Sequence, residues 1–167
     1  MIYRSKLLDG LFISTCKDDQ CPLFSACSPT FNWRELRVDG TPLVALMPCK
    51  PESATRPVPL GAAPTAPTDL HMHSCEAGGL RFAVAWADVG QPAQVAPALA
   101  AWRSASLQAI RGAPAAASDW AVKLPGADPV QGVSAQGTDP QGQPVQSRAV
   151  YFAQGTQVFQ AAVYGPR

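Results

Sequence analysis

The chain is expected to fold as an α+β protein, an antiparallel sheet of about six or seven strands with one main helix packed on it. Two observations predict this. Short strand-like runs follow one another across turn dipeptides, and only one stretch, residues 92 to 111, carries a sustained helical period. At 167 residues, the chain is long enough for one domain with a real core. Its 13 basic and 12 acidic side chains nearly cancel, which gives no footprint for nucleic acid or an anionic membrane surface.

The first expected strand covers residues 31 to 38. Phe31 and Trp33 alternate with polar neighbours, but Leu36 and Val38 fall on the opposite parity, so a bulge or a late start is expected. Asp39-Gly40 is a hairpin dipeptide, and residues 41 to 47 return as the partner. Six prolines between residues 48 and 68 exclude a helix or a central strand throughout, leaving room for a short edge strand at 55 to 60. A second hairpin follows: residues 69 to 76, a Gly78-Gly79 turn, and residues 80 to 88 with Phe82, Val84 and Trp86 on one face. Val95, Leu99, Trp102 and Ser106, extended by Leu107 and Ile110, form the helical stripe, with Gly112 as the expected stop. Trp102 reads as a core anchor. Residues 113 to 118 read as an Ala/Pro linker. Three last strands, 130 to 138, 143 to 153 and 156 to 164, are joined by turns at Asp139-Pro140-Gln141-Gly142 and Gln154-Gly155.

Leu23-Phe24-Ser25-Ala26-Cys27 reads as a lipobox, with Cys27 as the residue that would carry a diacylglyceryl group and Ser28-Pro29-Thr30 opening a tether. Such a signal needs an apolar run of about 7–15 residues directly upstream. That place holds Cys16-Lys17-Asp18-Asp19-Gln20-Cys21-Pro22, and the cluster from Leu7 to Ile13 is broken by Asp9 and Gly10. Residues 1–26 are therefore read as a defective or misassigned leader ending in the lipobox, 27–32 as a lipid tether, and 33–167 as a single α+β domain. Translating the other two reading frames upstream of codon 23 tests this, because a lost leader should reappear there. Cys16 and Cys21 lack a second ligand pair and carry no metal assignment. No stretch approaches the roughly 20 apolar residues of a spanning helix, so the expected membrane attachment is through lipid.

The chain resembles a family of small proteobacterial lipoproteins of unknown function. The resemblance rests on Ser25-Ala26-Cys27-Ser28-Pro29-Thr30-Phe31-Asn32-Trp33-Arg34-Glu35, on Met47-Pro48-Cys49-Lys50-Pro51, and on Cys75-Glu76-Ala77-Gly78-Gly79 followed by Phe82-Ala83. In element order it is also similar to the PsbP/Mog-like fold, whose members serve as assembly or binding factors. These resemblances imply a binding or assembly role over roughly residues 27 to 164, and none of that fold's functional residues maps onto this chain.

Cys49 and Cys75 fall at the ends of neighbouring strands, where an antiparallel arrangement brings Cα atoms within disulfide reach; a bridge is expected there in an oxidising compartment. His71, His73 and Cys75 occur at period 2 on one strand face. Imidazole, imidazole and thiolate would suit zinc or copper, with Cys49 as a possible fourth ligand, so a periplasmic metal-binding module is the alternative function. The two readings compete for the Cys75 sulfur. No G-x-S-x-G elbow or phosphate loop is present, and no partner for His71 or His73 stands out, so neither an enzyme nor a cofactor is expected. The sequence thus points to a lipid-anchored envelope protein on the periplasmic face of the outer membrane, since Ser28 rather than Asp follows Cys27. It would hold the membrane through its lipid, meet an envelope protein partner and bind no nucleic acid. A cytoplasmic location is the alternative if the leader is as given.

Overall fold

A computed structural model describes residues 30–60, 66–113 and 116–167. The protein is α+β. Seven antiparallel strands form the main sheet, and a separate two-stranded hairpin lies against it. The hairpin is β1 (Arg34–Arg37) with β2 (Val44–Met47). The main sheet contains β3 (Glu52–Val58), β4 (Thr68–Ala77), β5 (Leu80–Asp88), β6 (Ala117–Trp120), β7 (Val130–Thr138), β8 (Pro144–Gln154) and β9 (Gln157–Pro166). Helix α1 (Pro92–Ala109) connects β5 to the second half of the chain. The spatial order β3-β4-β5-β9-β8-β7-β6 places β9 between the two halves.

The sheet is apolar on both faces, and each face has its own cover. On one side, Ala85 and Ala87 of β5, Val133 of β7, Ala149, Tyr151 and Ala153 of β8, and Val158 and Ala162 of β9 meet Val95, Ala98, Leu99 and Trp102 of α1. The small alanines let the helix approach the strands closely, and Trp102 sits edge-on to Tyr151 with ring centroids 6.5 Å apart. Trp102 is the core anchor its spacing predicts. On the other side, Val84, Phe82 and Trp86 of β5 and Ala161 of β9 are packed by Leu36, Val38, Leu43, Ala45 and Met47 of the hairpin segment. Further along this face, Phe152 and Phe159 stack at 4.9 Å.

Several elements depart from their sequence reading. β1 starts late, at Arg34, and the first hairpin lies across the main sheet without joining it. The Asp39-Gly40 turn is wider than a two-residue loop: the Val38 amide donates to the Leu43 carbonyl and the Thr41 amide to the Val38 carbonyl. The edge strand begins three residues earlier than expected, at Glu52, and tolerates Pro57 because β3 is at the sheet edge. Residues 117–120, the first two of which fall in the expected linker of 113 to 118, form the opposite edge strand β6. It is held by four register pairs with β7 and by the Trp120 indole lying over Gly132, where a Cβ would come within 2.5 Å of the ring. The helix ends at Ala109, and Arg111, rather than Gly112, takes the left-handed conformation (φ 48°). The Gly112 amide then donates back to the Leu107 carbonyl at 2.8 Å.

Candidate functional site

Cys49 follows β2 and Cys75 lies near the end of β4, and their sulfurs are bonded (Cα–Cα 5.9 Å). This is the expected bridge. It pins the hairpin to the sheet together with the Asn32 amide, which donates to the Pro48 carbonyl at 2.8 Å, and with Phe31, which meets Phe82 edge-on at 6.5 Å.

The bridge corrects the proposed ligand set of His71, His73 and Cys75. A disulfide sulfur offers no thiolate to a metal, so Cys75 leaves the set, and Cys49 with it. The two imidazoles do share a face, and each is held by a hydroxyl from β3. Thr55 Oγ1 lies 3.1 Å from His71 Nδ1 and Ser53 Oγ lies 2.9 Å from His73 Nδ1. His71 also stacks on Trp86 with centroids 4.5 Å apart. Among the described residues, no group of three or more His, Cys, Asp or Glu side chains is arranged to hold a metal ion. Cys27, the candidate lipidation residue, lies outside the described residues, as do the other residues from 1 to 29.

The hydroxyl–imidazole pairs are partners the sequence reading did not find, because they join residues 16 and 20 positions apart across two strands. They sit at the β3 edge of the sheet, and among the described residues the rings' hydrogen-bond partners are these hydroxyls rather than carboxylates.

A cleft of about 410 Å³ opens on the other face, between α1 and strands β7 and β8. Leu99 and Leu107 of the helix and Tyr151 of β8 give it an apolar floor, and Arg103 and Gln131 its polar edge. Arg103 reaches Asp119 of β6 at 2.7 Å, and Gln131 Nε2 donates to the other Asp119 oxygen at 3.0 Å. Both carboxylate oxygens are thus engaged. The Arg103 Nε is buried and has no hydrogen-bond partner among the described residues.

Beside the cleft runs a polar chain, buried at Gln160 and Tyr151 and half-buried at Ser106. The Gln160 side-chain amide donates to Tyr151 Oη and to Ser106 Oγ, both at 3.0 Å. Burial, then the nearby Tyr151, push the Tyr164 hydroxyl from 10.0 up to about 12, against a smaller downward pull from its hydrogen bond with Gln160. One signal of this cluster stood in the sequence: Gln160 is a lone polar residue in the run Val158-Phe159-Gln160-Ala161-Ala162-Val163. Its partners on α1 and β8 had no sequence mark.

The fold and these sites define a class: a disulfide-clasped α+β protein with a helix over one sheet face, a hairpin over the other, and a shallow cleft beside the helix. Comparison with protein-family models, with curated proteins and with solved structures finds no match to the chain. No helix among the described residues is long and apolar enough to cross a membrane.

Proposed function

We propose that the protein is a lipid-anchored lipoprotein of the bacterial envelope, held by an acylated Cys27 at the periplasmic face of the outer membrane. There it acts as a non-catalytic binding or assembly module of PsbP/Mog-like layout for another envelope protein. The observation that carries this reading is the Cys49–Cys75 disulfide. Such bridges persist in oxidising compartments and are rare in a reducing cytosol, so the bridge and the lipobox point to the same address. The lining of the helix–sheet cleft supports binding over chemistry: aliphatic side chains beside one neutralised ion pair, with both histidines on the opposite sheet face.

The test is metabolic labelling with palmitate in a host that carries the gene with a restored leader. Label on the wild-type protein that is lost with Cys27→Ser, and blocked by globomycin, is the expected result. An unlabelled protein in the soluble fraction would overturn the anchor.

A further inference from the structure

The four large apolar side chains left exposed among the described residues all fall in one place: Phe31 (38%), Trp33 (51%), Val44 (39%) and Leu46 (44%). Strand alternation explains the outer face. Leu36, Ala45 and Met47 point into the sheet, so Val44 and Leu46 point away from it, paired in register with Arg37 and Glu35. Those two charges neutralise each other in an ion pair of 2.6 Å. Trp33 continues the same face and stacks on Phe31 at 6.2 Å. The outer face of the hairpin is therefore an apolar strip with one internally paired pair of charges and an aromatic end.

The strip is held rigidly. Phe31 sits over the β4–β5 turn, where a Cβ on Gly78 would come within 2.7 Å of its ring, and the disulfide and the Asn32–Pro48 hydrogen bond fix the segment on either side. The aromatic end also lies four residues from Cys27. Four residues of chain reach at most about 14 Å. An acyl chain on Cys27 would hold Phe31 within that distance of the headgroup layer and Trp33, six residues from Cys27, within about 22 Å; that layer is where tryptophan side chains settle.

The geometry points to the outer face of the β1–β2 hairpin, with Phe31 and Trp33, as a membrane-contact surface that lies against the bilayer interface beside the lipid anchor. This rests on the proposed anchor and adds an orientation to it: the hairpin faces the lipid, and α1 with its cleft, on the far side of the sheet, faces away. Because Glu35 and Arg37 are paired to each other, the contact is driven by apolar burial and needs no anionic lipid.

The test uses the full chain with Cys16→Ser and Cys21→Ser, so that Cys27 is the free thiol and the Cys49–Cys75 bridge stays intact. Cys27 is coupled chemically to a maleimide phospholipid in phosphatidylcholine vesicles, with and without brominated acyl chains. Brominated lipid should quench tryptophan emission, and the quenched component should vanish in Trp33→Tyr. Leu46→Asp, at an exposed position, should cut the quenching at least two-fold while circular dichroism is unchanged. Adding anionic lipid should leave the quenching as it was. Equal Trp33 emission from the tethered protein in brominated and unbrominated vesicles would overturn the docking, which is also the result expected if the strip receives a protein partner instead of the bilayer. Since the lipid is attached in vitro, that result is independent of palmitate labelling, whose failure would overturn the anchor alone.

Discussion

Tyr164 keeps its proton far into the alkaline range because the phenolate would lie in a poorly hydrated pocket beside Tyr151. The folded value, about 12, exceeds the unfolded 10.0, so its contribution to stability is fully present below pH 10 and is lost as pH rises towards 12. Tyr164→Phe should remove that part of the alkaline decline and change neutral-pH stability by only about 1 kcal/mol, as one hydrogen bond is lost. Urea unfolding across the alkaline range, for both proteins, checks this. Arg111 offers a second test: at φ 48° it holds a conformation that costs a residue with a Cβ about 1–2 kcal/mol. Part of the gain is offset by greater freedom of the unfolded chain, so Arg111→Gly should stabilise by about 0.5–1 kcal/mol in thermal unfolding. The sequence supplied a glycine one position later, at Gly112, and nothing in the residue order marks Arg111 as the helix terminator. The polar cluster was equally hidden: Gln160 stands out within its strand, but Ser106 and Tyr151 come to it only through the packing of α1 on the sheet.

Among the elements, those with an internal period were readable. Alternation gave β5 its bounds and its Phe82, Val84 and Trp86 face, and the 3–4 spacing placed α1 to within two residues of its end. β6 was not readable, since four residues of Ala-Ser-Asp-Trp have little strand preference and are ordered by β7 and by the salt bridge to Arg103. The docking of β1–β2 across β5 was hidden for a related reason: a hairpin's pairing is local, but what its inner face covers is decided by residues about 40 positions away. Only Cys49 and Cys75 announced that proximity. Their bridge closes a separation of 26 residues, for which loop entropy gives on the order of 3 kcal/mol. Cys49→Ser combined with Cys75→Ser should lower unfolding stability by about that much. Amide hydrogen exchange should speed up first in β1 and β2, with β8 and β9 least affected.

For the whole molecule, the decisive feature is the position of β9. It pairs along its length with β5 on one side and β8 on the other, and its side chains enter the cores of both faces. Deleting residues 157–167 should therefore abolish cooperative unfolding altogether, rather than trim stability, leaving two three-stranded pieces with open edges that aggregate on gel filtration. The fold class was legible because hairpins, helix and meander follow in chain order, but the strand order was not, since pairing β5 with β9 depends on an encounter across some 75 residues of intervening chain. That encounter sets the timing of folding during synthesis. While the chain leaves the ribosome, β3 to β5 and then β6 to β8 emerge as separate hydrophobic fragments, and neither half can close its central edge until residues 157 to 166 have been made. Until then each half carries an unpaired central strand, β5 in one and β8 in the other, that only β9 can cover.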